Sequence, residues 1–315
     1  MKRRIFIRNL LGSGTFMGLN GLVDFNSIRT NIDIDLRTPF HINFAPQLGM
    51  FQHKAGSKPG DQIKFMSSNG FRVIEDMGFL TRSKLERRQI MNSLQKEDLT
   101  LGTFIGHRVD WHHPTLCTGR KTDVRRFMTE IKESVSIAKR TNCKQLCVFP
   151  GPVSLTYDFQ TQRKNLIENL KRALELVVPN GIELLLVPIN PSVYPGQFIS
   201  SLEEASYFSK AAGSNACRIL FNTYSHQRYH GNLIESISKY WNEIGYFQLA
   251  DVPGKKEPLT GEINFIRLLS FIQESGYKGI LGMDHGLSKD GLEGENQILR
   301  NYRVIDSWLK DHIEL

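Results

Sequence analysis

At 315 residues and 36.0 kDa the chain is long enough for one large core, and 40% hydrophobic with 23% charged residues and a mean hydropathy of −0.30 excludes a membrane bundle. The formal charge of +8 is half leader: Lys2, Arg3, Arg4, Arg8 and Arg29 against Asp24 carry a net +4, leaving +4 of solvated surface on the rest. With no basic stripe interleaved with aromatics, nucleic acid is excluded as a partner.

Arg3-Arg4-Ile5-Phe6-Ile7-Arg8 precedes a modestly apolar, glycine-rich run from Leu10 to Val23, and resembles a twin-arginine export signal, a route that carries folded proteins. It predicts a leader over residues 1–38, an exported, periplasmic protein, and a barrel over 39–315. The alternative is a basic N-terminus on a cytoplasmic protein. No small-residue cleavage site follows Val23, so an uncleaved leader is the one predicted route to a membrane.

From His41 onward short apolar runs alternate with helical patterns: 41–48, 71–77, 99–107, 145–151, 182–190, 217–224, 246–252 and 279–285. Between them Thr122–Thr141, Arg163–Val178, Leu202–Ala212 and Phe265–Glu274 repeat apolar residues three and four apart. Strand-helix-strand order demands parallel strands, and eight such units close into an α/β fold, a single-domain (β/α)8 TIM barrel. Leu184-Leu185-Leu186-Val187 and Ile219-Leu220-Phe221 are apolar on both faces, as a strand wrapped by helices needs to be. A doubly wound open sheet is the alternative, but no glycine-rich phosphate turn follows the first run. Residues 108–121, containing Trp111-His112-His113-Pro114, lack periodicity and predict a loop over the barrel mouth. Cys117, Cys143, Cys147 and Cys217 are too few and too scattered for a disulfide scaffold, and read as small core residues.

In such a barrel the strand ends build the active site. Here they carry Asn43 and Gln47, Glu75 and Asp76, His107, Asn190, Asn222 and Tyr224, Gln248 and Asp251, then Asp284 and His285. Several stretches around them carry a resemblance. They are Asn43-Phe44-Ala45-Pro46, Phe71-Arg72-Val73-Ile74-Glu75-Asp76, Val187-Pro188-Ile189-Asn190, Phe221-Asn222-Thr223-Tyr224, Phe247 to Gly254, Glu257 to Glu262, and Gly282-Met283-Asp284-His285-Gly286. The chain resembles the hydroxypyruvate isomerase group of the xylose isomerase-like TIM barrels, over residues 41–300.

The resemblance implies proton transfer between neighbouring carbons through an enediol, with a magnesium or manganese ion polarising the oxygens and carboxylates moving the proton. It implies four metal ligands on successive strand ends, which fall here on Val187, Asn222, Gln248 and Asp284. Glutamate, aspartate and glutamate are replaced by Val187, Asn222 and Asp284; only Gln248 is kept. The histidine implied after the Phe-Asp-x-Tyr segment is Ser225, with His226 next to it. One anion where three are implied predicts at most a weakly held ion on Gln248 and Asp284, and no other cofactor. Val187 cannot accept a proton, so Glu75 and Asp284 are the catalytic candidates. Asn190, Gln248, Lys255, Glu257 and His107 are the ligand-binding candidates, with Lys255 a point charge for a carboxylate or phosphate where the resemblance implies arginine. Glu262 reads as a helix-start carboxylate. His107, His112 and His113 are the one histidine cluster and could suit zinc or nickel, against the reading of loop histidines.

Two functions follow. One is a barrel binding a small hydroxycarbonyl or sugar-like ligand, its metal-dependent isomerisation lost or altered; the alternative is an active aldose-ketose type isomerase acting on hydroxypyruvate or a related small sugar.

Overall fold

The computed structural model describes residues 38–313, so the leader predicted over 1–38 lies outside the described residues except for Thr38. All eight apolar runs are strands. They are β1 (Asn43–Pro46), β2 (Val73–Ile74), a third run split by Gly102 into β3 (Thr100–Leu101) and β4 (Thr103–Ile105), β5 (Gln145–Val148), β6 (Glu183–Leu186), β7 (Cys217–Asn222), β8 (Ile244–Leu249) and β9 (Ile280–Met283). Seven of them form one parallel sheet in the order β1-β9-β8-β7-β6-β5-β4. The remaining arc is β2 paired with β3. It joins the sheet through Glu75 N donating to Pro46 O at 2.9 Å on one side and Ile105 N donating to Met77 O at 3.1 Å on the other. The ring therefore closes, and the doubly wound alternative is excluded by closure.

Helices on the outside are α1 (Gln52–Ala55), α2 (Pro59–Ser68), α3 (Lys84–Lys96), α4 (Lys121–Thr141), α5 (Phe159–Val177), α6 (Leu202–Ala211), α7 (Thr223–Tyr229), α8 (Leu233–Lys239), α9 (Phe265–Glu274) and α10 (Gly291–His312). Their starts are set locally. Ser83 with Glu86 and Ser201 with Glu204 form reciprocal capping boxes on α3 and α6, while Asp158 and Asn264 accept from Thr161 N and Arg267 N to begin α5 and α9. The last helix closes the structure onto the first strand: Asp306 of α10 accepts from His41 N at 3.1 Å and Ile42 N at 2.9 Å.

Alternation along each strand sorts side chains to two cores. Leu146, Leu184, Leu186, Ile219, Phe221, Phe247, Leu249, Leu281 and Met283 belong to the cluster shared with the helices. Cys147, Phe149, Leu185, Val187, Leu220 and Tyr246 make a separate cluster inside the ring. The four cysteines are buried and unbridged. The same period of two sends Glu75, Asn222, Gln248 and Asp284 into the ring at its C-terminal end, and this positions the site.

Candidate functional site

Glu75, one residue past β2, lies at the centre of the polar floor and is 0% exposed. One carboxylate oxygen accepts from the Tyr246 hydroxyl, the other from the Gln47 amide and from Gln248 Nε2 at 3.1 Å. Burial pushes its pKa up to about 8; the Tyr246 and Gln248 hydrogen bonds pull the other way, and the Asp284 charge adds to the rise. The carboxyl is thus mostly protonated at neutral pH and sealed from the mouth by the two amides. Room for it exists because residue 282 on β9 is glycine: a Cβ there would stand 2.0 Å from Glu75 Oε1.

Above this floor run the amides. Gln248 Oε1 faces Asn222 Nδ2 at 3.3 Å, and the same Nδ2 donates to Asp284 Oδ2 at 2.7 Å. The Asn222 oxygen is already engaged, accepting from Ser225 N at 2.9 Å to cap α7, which is why the strand stops at Asn222 while the apolar pattern runs to Tyr224. Asp284 Oδ2 also meets Lys255 Nζ at 2.8 Å, with the lysine side chain 43% and the aspartate side chain 26% exposed.

The opposite half of the ring's end is apolar. Val187 is 6% exposed and packs with Phe149, while Met77, Ile105, Val109, Trp111 and Ile189 border the same cluster. Residues 108–121 do fold over this half: Trp111 meets Phe149 edge-on with ring centroids at 5.2 Å and stacks on Tyr194 at 4.9 Å. Its carbonyl accepts from Gln197 Nε2 at 3.3 Å.

Four other candidates lie away from this centre. His107 is buried against Phe127 of α4 with ring centroids at 5.2 Å, and its Nε2 accepts from Phe149 N at 3.3 Å; burial lowers its pKa to about 4. Its place in the pattern would send it into the mouth, but β4 ends at Ile105 and the ring turns onto the helix. Glu257 is 0% exposed and gives both oxygens to Ser288, tying the loop after β8 to the loop after β9 rather than facing a ligand. Asn190 Oδ1 accepts from Ser192 N at 2.9 Å and Ser192 Oγ at 2.7 Å, holding a turn beside a cavity of about 20 Å³, room for one water, lined by Ser201, Asn222 and His226. His285 is fixed between Gly286 O, 2.9 Å from Nδ1, and Tyr302 OH, 3.0 Å from Nε2, with burial lowering its pKa to about 4.

His112 and His113 do not join His107. Asp110 accepts from both backbone N–H groups, at 3.0 and 2.8 Å, and turns the two rings to the surface. Among the described residues no group of three or more His, Cys, Asp or Glu is arranged to hold a metal ion. Asp251 is likewise a loop organiser, accepting from Val252 N, Gly261 N and Ile263 N at 2.9, 2.8 and 3.0 Å. Asp251→Asn should lower unfolding free energy by about 1–2 kcal/mol, since charge-assisted bonds to buried N–H groups become neutral ones; a denaturation midpoint equal to the parent's would refute this role.

Sequence reasoning passed over Tyr246, although its place two residues before Gln248 on the same strand signals a shared face. It also missed the pairing of Lys255 with Asp284, for which no sequence signal exists.

A family model described as "Xylose isomerase-like TIM barrel" matches residues 63–308. The hydroxypyruvate isomerase of Escherichia coli K12 is 28% identical over 159 residues, half of this chain and 62% of that protein. A 2-oxo-tetronate isomerase of Cupriavidus necator is 25% identical over 229 residues, 71% of this chain and 86% of that protein. Among solved structures, one described as an AP endonuclease of family 2 from Brucella melitensis superposes with a TM-score of 0.72 at 22% identity, covering 87% of this chain and all of that one.

Proposed function

Because the chain belongs to the xylose isomerase-like TIM barrel family, we propose that its mouth binds a small hydroxycarbonyl or sugar-like ligand at a site where the divalent cation implied by the family has been replaced. The observation that carries this reading is the state of Asp284: its Oδ2 is already held by Lys255 and Asn222.

The residues present do not fit a magnesium or manganese ion. Of the four positions the resemblance assigns to ligands, Val187 is a hydrocarbon, Asn222 spends its oxygen on a helix cap, and Gln248 faces its oxygen to the Asn222 amide. Electrostatics points the same way. A dication about 4 Å from an ammonium is repelled by roughly 8 kcal/mol at an effective dielectric of about 20, which cancels the attraction of one carboxylate at the same distance. At the rim the Lys255 ammonium offsets the Asp284 carboxylate, the one acidic group among the four positions.

What remains suits a polar, uncharged or weakly charged ligand. The second N–H of the Gln248 amide, the Asp284 carboxylate and the Lys255 ammonium present donors and acceptors for hydroxyl and carbonyl oxygens. Trp111 and the apolar wall beside Val187 offer carbon contact on the other side.

The alternative, an active aldose-ketose type isomerase, is favoured by the names of the curated relatives, hydroxypyruvate isomerase and 2-oxo-tetronate isomerase. Metal analysis of the purified protein with a hydroxypyruvate isomerase assay separates the two. The replaced-site reading expects substoichiometric metal and no turnover on adding magnesium or manganese, while Val187→Glu with Asn222→Asp should raise Mn2+ affinity at least about tenfold. Stoichiometric metal together with turnover that Asp284→Ala abolishes would instead establish the isomerase. Export through the twin-arginine-like leader is part of the same proposal, supported by Arg3-Arg4 and the run to Val23, and is read by whether an Arg3→Lys/Arg4→Lys variant stays in the cytoplasm.

A further inference from the structure

The loop after β8 is tethered so that one lysine hangs over the rim. Asp251 N donates to Lys256 O at 2.8 Å and Gly286 N donates to Lys255 O at 2.9 Å, so the turn is tied both to its own strand end and to the chain after β9. Lys255 itself has φ +53°, a left-handed conformation that a residue with a Cβ adopts at a cost, and keeps where its surroundings fix it. From that fixed backbone its Nζ reaches Asp284 Oδ2 at 2.8 Å. Other titratable groups near the pair are Lys256, whose side chain runs beside Gly286, and the buried Glu75 carboxyl below; the His285 ring next to Asp284 is engaged by Gly286 O and Tyr302 OH.

An ammonium has three N–H donors, and Asp284 uses one. With nearly half its side chain exposed, Lys255 has donors left to offer an incoming oxygen, next to the amides of Asn222 and Gln248.

We propose that Lys255 is the built-in cation of this site: its ammonium, neutralised on Asp284, takes the electrostatic role of a divalent ion, holding a ligand's carbonyl or hydroxyl oxygen and excluding metal. This deepens the reading given under Proposed function and rests on it. Lys255 becomes the specificity-determining residue, and the site binds its ligand without metal because the positive charge is covalently part of the chain.

The test has two arms with separate readouts. In the first, Mn2+ binding is followed by electron paramagnetic resonance on the parent, Lys255→Met and Lys255→Met/Asp284→Asn, with far-UV circular dichroism and melting to show that each is folded. Lys255→Met should bind Mn2+ at least about tenfold more tightly than the parent, because the carboxylate is released, and the double variant should lose that gain. Lys255→Gln should behave like Lys255→Met, which guards against a defect peculiar to methionine. In the second arm, hydroxypyruvate binding is measured by calorimetry in excess EDTA. The parent should bind, with Lys255→Met weakened about tenfold and Lys255→Arg, which keeps the charge, weakened less. Mn2+ affinity equal in parent and both single variants overturns the proposal. A gain in Mn2+ affinity with no hydroxypyruvate binding to any protein upholds the exclusion of metal by Lys255 and overturns the ligand named under Proposed function.

Discussion

Between pH 6.5 and 8 the unfolding free energy should fall by about 2 kcal/mol, and Glu75→Gln should remove that fall. A carboxyl whose folded pKa is about 8 and whose ordinary value is 4.5 keeps its proton in the folded chain over a range where the unfolded chain has lost it. Unfolding therefore releases a proton, stability drops by about 1.4 kcal/mol for each pH unit in that interval, and the loss levels off above pH 8. Below pH 6.5 the trend is opposed. His107, His226 and His285 each have the pKa lowered from 6.5 to about 4, so each favours the folded chain at high pH and loses that contribution as pH falls through this range. Three histidine slopes outweigh the one carboxyl slope from pH 6.5 down to 4.5, so stability should fall again on the acid side, and the alkaline limb is where Glu75 stands alone. Urea unfolding at half-unit pH steps reads the slopes directly. Parallel curves for parent and Glu75→Gln would show that the carboxyl is ionised in the folded state, against the burial that surrounds it.

Gly282→Ala should cost at least about 3 kcal/mol, a large fraction of an ordinary protein's total stability. The new methyl carbon would stand 2.0 Å from Glu75 Oε1 and 2.6 Å from its Cδ, and Glu75 has nowhere to go. Tyr246, Gln47 and Gln248 hold its two oxygens, and β8 and β1 flank β9 on both sides. Either the ring opens locally or the buried carboxyl leaves its donors, and both are expensive. The same substitution in a Glu75→Ala background should be markedly cheaper, with a coupling of about 2 kcal/mol or more, because the smaller side chain vacates the space. Equal costs in the two backgrounds, measured by denaturant melts, would mean that the strain lies in the β9 backbone and not in this contact.

The close approach of Gly282 and Glu75 also illustrates why the barrel was so legible. Each strand announced itself by a run of apolar residues, and each helix by spacing of three and four, because burial on one or both faces is imposed by local geometry. Leu184-Leu185-Leu186 lie in β6 with Val187 just past its end, alternate residues going to the two cores, as a parallel strand under helices must. Strand-end position alone assembled Glu75, Asn222, Gln248 and Asp284, since alternation and the common C-terminal end leave them one place to point. Capping was less readable: the helix-start carboxylate expected at Glu262 lies outside α9, which Asn264 caps and whose first turn carries no acidic residue.

The sequence by itself therefore determined the eightfold repeat, the faces of the strands, and the uncharged residues Val187 and Asn222 at two of the strand ends. Only the tertiary structure decided which partners those rim residues take. Lys255 and Asp284 belong to different loops, and they meet because ring closure sets β8 beside β9 and two backbone hydrogen bonds fix the turn between them. His107 and Glu257 share the composition of site residues, yet the first turns onto a helix and the second onto Ser288. Periodicity is a property of neighbours along the chain, whereas charge pairing and burial depend on what the fold brings across from another strand, and at this rim that second kind of information sets the chemistry.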